Sequence, residues 1–178
     1  VKTQITNQNK SGVIVNVDTT QVDNTSSHRH LILLVDESAS MDQTVEVKND
    51  SDEEIDYGLT LLDVVRHSVQ TLVNILLEDN LHQYYLTIIT FTGEAERECV
   101  FLKVDNSNKG RFNRIIEGLS AKQATNIWDA FRLSFQTIEE LNESALPIDH
   151  QVVLFTDGVP NRHPFTTRHG KYTPEQYF

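Results

Sequence analysis

One stretch constrains the fold more than any other: residues 31–35 are apolar, and Asp36, Ser38 and Ser40 follow them at alternate positions. Five apolar residues are too few to span a membrane but enough for a strand that is buried on both faces. A buried strand that ends in Asp-x-Ser-x-Ser brings three oxygen side chains to one place at its carboxyl end. A carboxylate beside neutral hydroxyls suits a hard divalent cation.

Two later stretches can complete that place. Residues 152–158 repeat the design, with an apolar strand, then an acid, then a glycine that permits a sharp turn. Residues 124–130 put a hydroxyl just before a helical pattern. In open parallel sheets, ligands bind beyond the carboxyl ends of the strands, where the strand order reverses. If the strands at 31–35 and 152–156 are neighbours there, five side chains converge: Asp36, Ser38, Ser40, Thr125 and Asp157.

This combination resembles the von Willebrand factor type A family, which includes the inserted domains of integrins. That family carries a metal-ion-dependent adhesion site built from Asp-x-Ser-x-Ser, a separate Thr and a separate Asp. The three parts occur here in the same order, and the resemblance covers residues 28–164. Residues 39 and 124 are alanine where the family often has glycine, and neither change removes an oxygen ligand.

The resemblance implies a role for each of the five side chains. Ser38 and Ser40 would bind the metal directly, whereas Asp36 and Asp157 often act through water. Thr125 would bind directly or through water, depending on the state of the site. Two carboxylates and three hydroxyls suit Mg²⁺, with Mn²⁺ or Ca²⁺ as alternatives, and leave room for an oxygen from outside, for which a partner's Asp or Glu carboxylate is the best candidate.

The spacing of apolar residues predicts an alternation of strands and helices. We expect strands at 31–35, 85–91, 98–104 and 151–156, and helices at 59–77, 112–119 and 127–141. This order predicts an α/β, Rossmann-like, mostly parallel sheet with helices on both faces. The segment at 98–104 is close enough in sequence to 85–91 to be its antiparallel edge partner.

The ends of the chain suggest two regions and a missing part. Residues 1–27 form an N-terminal extension with an edge strand expected at 12–19, where valines alternate. By the same resemblance, residues 28–178 are expected to form a type A domain. Family members normally add further strands and helices after the position of Asp157, so we expect the domain to be incomplete at its C-terminus and to belong to a larger chain or complex.

Residues 42–56 depart from the compact family pattern and predict a long acidic loop beside the proposed metal. Its charges either raise the local concentration of cations or block the open metal position, or else they belong to a mobile, solvated insertion. His28 and His30 are interpreted as polar ends of an exposed strand entry and not as a metal pair. Cys99 is expected to pack as a small apolar side chain in its strand.

The composition of the chain excludes some classes of binding partner. A net charge of −11 argues against nucleic acid and anionic membranes, since both would repel the chain. No apolar run approaches the length of a membrane span. The single cysteine excludes an internal disulfide, and together with the lack of a visible signal peptide it favours an intracellular location, with an extracellular one still open.

Three functions remain. The first is a metal-dependent protein-binding module for adhesion or assembly, which is not an enzyme. The second is a metal-free scaffold in which the hydroxyls only tie loops together. The third is an Mg²⁺-dependent hydrolase or phosphotransferase, which is the weakest because Ser38 stands where a common phosphatase pattern has a second acid and no Gly-rich phosphate loop is present.

Overall fold

The sheet of the computed structural model has the order β5-β4-β1-β6. The structure describes residues 28–48, 54–122, 124–142, 148–158, 166–167 and 170–171. Its main elements follow in chain order: β1 (His28–Asp36), β2 (Thr44–Lys48), β3 (Glu54–Thr60), α1 (Leu61–Glu78), β4 (Gln83–Phe91), β5 (Ala95–Lys103), α2 (Lys109–Gly118), α3 (Ile127–Asn142), β6 (Ile148–Phe155), β7 (Thr166–Thr167) and β8 (Gly170–Lys171).

The strand at the centre of the sheet is β1, as its apolar run predicts. It pairs in parallel with β4 on one side and with β6 on the other, so the expected neighbours are confirmed. The β5 strand runs antiparallel to β4, which confirms the antiparallel edge. The carboxyl ends of β1, β4 and β6 therefore meet at one edge of the sheet, and the amino end of β5 lies beside them.

Helices cover both faces because successive side chains of β1 point to opposite sides. Leu31, Leu33 and Val35 pack with buried residues of α1 and α2. Ile32 and Leu34 pack on the other face with Ala130 of α3. The first turn of α1 is fixed by a capping box, in which Thr60 and Asp63 bond reciprocally to each other's backbone N–H.

The expectation of an acidic loop at 42–56 is wrong. Residues 44–48 and 54–60 form an antiparallel hairpin, β2–β3, whose second strand leads directly into α1. The sequence does alternate here, with Val45 and Val47 separated by Glu46, and this period of two favours a strand. The many charged residues among 46–56 obscured that signal. The expected edge strand at 12–19 lies outside the described residues.

The interpretation of His30 as an exposed polar end is also wrong. Its side chain is fully buried, and its ring nitrogens lie 2.9 Å from Nδ1 of His150 and 2.8 Å from Oγ1 of Thr87. Thr87 Oγ1 also accepts the backbone N–H of Phe101. Burial, and then the neighbouring His150, lower the pKa of His30 from 6.5 to about 3. Burial also lowers the pKa of His150, and the negative charge of Asp149 acts against that shift. His30 is therefore uncharged in the folded protein at neutral pH.

Cys99 agrees with its expectation. It is buried in β5, and burial raises the pKa of its thiol, so the side chain behaves as a small apolar group. None of the helices described is both long and apolar enough to cross a membrane.

Candidate functional site

Asp36 joins the ends of two neighbouring strands. It is the last residue of β1 and is wholly buried. One carboxylate oxygen accepts the backbone N–H of Ser38 at 2.8 Å, and the other accepts the hydroxyl of Thr156, just after β6, at 2.6 Å. Parallel pairing of β1 with β6 places these residues together, so the carboxylate is held in one orientation.

The two serines of the motif lie side by side. A short 3₁₀ turn, Ala39–Asp42, follows Ser38 and is closed by the bond from the N–H of Met41 to the carbonyl of Ser38 at 3.0 Å. This turn brings the hydroxyls of Ser38 and Ser40 to 3.0 Å from each other. The side chain of Met41 is buried and anchors the turn to the core. A single turn thus presents two neutral oxygens next to Asp36.

Asp157 lies at the end of the neighbouring strand and is exposed. The chain turns immediately afterwards at Gly158, whose φ is +109° and whose N–H donates to Thr156 Oγ1 at 3.1 Å. Burial, and to a smaller extent the negative charge of Asp157, raise the pKa of Asp36, while bonds from Thr156 and Ser38 act against this rise. The negative charge of Asp157 therefore opposes ionisation of Asp36.

Thr125 belongs to a loop that passes the same edge of the sheet. Its side chain is buried. The next residue, Asn126, donates its N–H to the carbonyl of Thr92 at 2.6 Å and its side-chain amide to the carbonyl of Gly93 at 3.1 Å. Ala124 has a φ of +73°, a conformation that costs an L-residue energy and suits glycine. The loop is therefore fastened to the turn that follows β4.

The structure brings Asp36, Ser38, Ser40 and Asp157 to one corner of the sheet edge and places Thr125 on the adjoining loop. Three polar residues that the sequence reasoning left out support this arrangement: Glu37, Thr156 and Asp129.

Glu37 ties the loop at 120–122 to the end of β1. It is nearly fully buried, and its carboxylate accepts the N–H of Ser120 at 2.7 Å and the ammonium of Lys122 at 2.9 Å. Its backbone carbonyl also accepts the N–H of Lys122. The sequence offers one sign of this role: an acid stands between Asp36 and Ser38, at a position where the motif requires no particular residue.

Asp129 fixes the turn before β5 by a hydrogen bond, as Glu37 fixes the loop at 120–122. It lies in the first turn of α3 and accepts the N–H of Ala95 at 2.9 Å and Nε of Arg132 at 2.8 Å. Thr156 could have been recognised as a hydroxyl directly before Asp157, in the same way that the serines accompany Asp36. Both residues hold neighbouring segments in place, Asp129 from a buried position and Thr156 from a partly exposed one.

The donor set fits a divalent cation. The buried carboxylate of Asp36 accepts a hydroxyl and a backbone N–H, and the negative charge of Asp157 opposes its ionisation, so a cation bound there would stabilise both charges. No group of three or more His, Cys, Asp or Glu with metal-binding geometry occurs in the described part of the chain. A site for Zn²⁺ is therefore not indicated there, whereas carboxylates with hydroxyls suit Mg²⁺, Mn²⁺ or Ca²⁺.

Comparisons with known proteins agree with this architecture. Residues 31–159 match the family model described as von Willebrand factor type A domain. No curated protein matches the chain.

Three solved structures share the fold. The PilB minor pilin of Streptococcus sanguinis is 20% identical with a TM-score of 0.59, over 80% of this chain and 32% of that one. The von Willebrand domain structure of the type V pili tip protein Mfa5 of Porphyromonas gingivalis is 14% identical with a TM-score of 0.54, over 76% and 40%. A von Willebrand factor type A protein of Catenulispora acidiphila is 14% identical with a TM-score of 0.50, over 69% and 25%. The chain thus spans two fifths or less of each of these solved chains.

Proposed function

The chain belongs to the von Willebrand factor type A family, and on that premise we propose that it is a metal-dependent protein-binding module without enzymatic activity. The observation that carries the proposal is the geometry at the end of β1. There the buried Asp36 and the paired hydroxyls of Ser38 and Ser40 lie next to the exposed Asp157. Neutral hydroxyls beside two carboxylates form the oxygen set that a hard cation prefers.

Mg²⁺ is the proposed ion, and Mn²⁺ or Ca²⁺ would accept the same oxygens. Ser38, Ser40 and Thr125 would hold it together with Asp36 and Asp157. Bound there, it would act as a Lewis acid for an oxygen ligand that arrives from solvent. The buried bond from Thr156 keeps Asp36 oriented, and the bond network around Asn126 keeps the loop that carries Thr125 in position.

The proposed partner supplies an Asp or Glu carboxylate. A chain with a net charge of −11 repels an acidic partner over long range, so the attraction has to come from a local positive charge. Two carboxylates and three neutral hydroxyls leave positions in the coordination shell for water or an outside oxygen. A partner carboxylate that replaced water would add a charged ligand where the protein provides none.

The two similar pilus proteins guide the proposed setting. One is a minor pilin and the other a pilus tip protein. We extend their setting to this chain and propose a role in a larger assembly at the cell surface. This replaces the intracellular location that the single cysteine favoured, because one cysteine is compatible with either compartment.

Isothermal titration calorimetry with MgCl₂, MnCl₂ and CaCl₂ tests the metal site. The Asp36→Asn and Ser40→Ala variants should each bind Mg²⁺ about tenfold more weakly or worse, since each loses an oxygen ligand or its charge. The Glu139→Gln variant is the matched control, because it removes an exposed acid of α3 at a distance from the site. Equal affinity in Asp36→Asn and the parent chain would remove the proposed site.

A metal-free scaffold is the second candidate, and one observation favours it. Asp36, Ser38 and Ser40 already bond among themselves and to Thr156, so the corner can be stable without a cation. Under this alternative the Ser40→Ala variant loses stability but the parent chain binds no metal. Retention of a protein partner in EDTA would support the scaffold, whereas release in EDTA and recapture after Mg²⁺ is restored would support the metal-dependent module.

A further inference from the structure

A cleft of about 360 Å³ lies between α2 and β5 and is lined in part by Glu37. Its walls carry the cationic heads of Arg111, Arg114 and Lys122 and the acids Glu37 and Glu98. The apolar side chains of Ile115 and Leu119 form the remainder of the wall. This is a local concentration of positive charge on a protein whose net charge is −11.

The charges of the cleft are not equally available. Lys122 and Glu37 form an ion pair with each other at 2.9 Å. Within the described part of the chain, the Arg114 side chain uses only Nε, which donates to the carbonyl of Gly110, and the Arg111 side chain forms no hydrogen bond or ion pair. Both arginines are exposed and stand three residues apart, on the same side of α2. Two guanidinium groups therefore face the cleft with free N–H donors.

The acids of the cleft restrict the anion that fits. A phosphate dianion would be repelled by Glu98, which lines the same cleft from β5 and accepts the hydroxyl of Thr90 at 3.2 Å. A carboxylate carries only one charge and matches the planar fork of a guanidinium. If that carboxylate belongs to a peptide, a backbone N–H beside it can donate to Glu98. The mixed lining thus favours an acidic side chain on a peptide over a free multivalent anion.

We propose that this cleft is a second binding site, which takes an Asp or Glu side chain of an acidic peptide segment on Arg111 and Arg114, independently of any metal. The cleft borders the corner around Asp36 through Glu37, but its two arginines belong to α2, and none of the five proposed metal ligands is among its lining residues. It would give a protein partner a second point of attachment to this chain.

Two glycines of α2 provide a matched pair of variants. Gly118 lines the cleft, and a Cβ built on it has no heavy atom within 4 Å, so Gly118→Phe would fill the cleft without removing a charge. Gly110 has equally open surroundings on the same helix but does not line the cleft. Neither glycine has a positive φ, so a side chain at either position meets no backbone strain.

The test is a ¹H–¹⁵N NMR titration of the 178-residue chain in EDTA with the blocked peptide acetyl-Gly-Glu-Gly-Glu-Gly-amide. We expect saturable shifts of the amides of Arg111, Gly118 and Leu119. A peptide with Gln in place of both Glu should bind about tenfold more weakly. Arg111→Gln combined with Arg114→Gln, and Gly118→Phe alone, should abolish the shifts, while Gly110→Phe should keep them.

Three results would overturn the second site. They are equal shifts with the Gln peptide, unchanged binding by Gly118→Phe, and shifts confined to Ser38 and Ser40. Because the titration contains EDTA, a failure of the metal site leaves its outcome unaffected, and the two proposals can fail separately.

Discussion

Glu37 permits a sharp test of how the candidate site is held in place. Its carboxylate is 4% exposed, whereas its partner Lys122 is 56% exposed, so only one member of this ion pair is buried. In Glu37→Gln the amide oxygen can still accept the N–H of Ser120, but the amide NH₂ replaces the acceptor of the Lys122 ammonium. The ammonium turns to water, and a buried donor is left without a partner.

Substitutions of Glu37 and of Lys122 should therefore lower the free energy of unfolding by different amounts. Losing a charge-assisted hydrogen bond and burying an unsatisfied donor costs about 1–3 kcal/mol, so we expect Glu37→Gln to lower the free energy of unfolding by about 2 kcal/mol. Lys122→Gln removes a mostly exposed charge, and water can replace the ammonium at Glu37. Solvent screening of such a pair limits its cost to below about 1 kcal/mol.

Urea denaturation followed by circular dichroism measures both changes. Glu96→Gln is the matched control, because Glu96 is exposed, acts on Lys122 only through its charge and keeps the same change in net charge. We expect its effect to lie within about 0.5 kcal/mol of zero. A cost for Lys122→Gln equal to or above that of Glu37→Gln would refute the reasoning, since it would place the energy in the charge pair and not in the buried carboxylate.

Three further predictions follow from the same structure. Asp157→Ala should weaken Mg²⁺ binding in calorimetry and leave the melting temperature in EDTA unchanged or higher, because Asp157 is exposed and repels Asp36; a lower melting temperature would contradict this. From pH 7 to pH 5 the free energy of unfolding should fall by about 2 kcal/mol, because His30 gains a proton in the unfolded chain but not when it is buried in the folded one. This fall should become smaller in His30→Gln but not in the control His67→Gln, which changes an exposed histidine. Ala124→Gly should stabilise the chain by roughly 1 kcal/mol in urea titrations by relieving a positive φ, and any destabilisation would count against that strain.

The elements that a local pattern defines could be predicted from the sequence. The apolar run before Asp36 predicts a central buried strand, and β1 is that strand. The stripe of apolar residues within 59–77 predicts a helix, and α1 spans Leu61–Glu78, so the helix begins two residues and ends one residue later than expected. Each of these patterns is set by neighbours within a turn or a few strand residues, so no distant part of the chain has to be known.

Features that depend on distant contacts could not be predicted in this way. Glu37 bonds to a segment more than 80 residues later, and nothing around it in the sequence announces an ion pair with Lys122. His30 precedes the apolar run and has the sequence context of an exposed strand end. It is buried because β4 and β6 flank β1, and Thr87 and His150 supply its polar partners. Burial here is a property of the sheet and not of the strand.

The contacts of Glu37 also affect how mutations in the Asp-x-Ser-x-Ser motif should be interpreted. It occupies the position between Asp36 and Ser38, so a scan of the motif will include it, although its carboxylate is directed to Ser120 and Lys122. The loop that it holds continues to Thr125, one of the five proposed ligands. A loss of metal binding in Glu37→Gln would therefore be a consequence of loop displacement, because its carboxylate is already engaged away from the serines. Loss of an oxygen ligand, as in Ser40→Ala, should weaken metal binding with little change in the NMR shifts of the loop at 120–126, whereas Glu37→Gln should change both together.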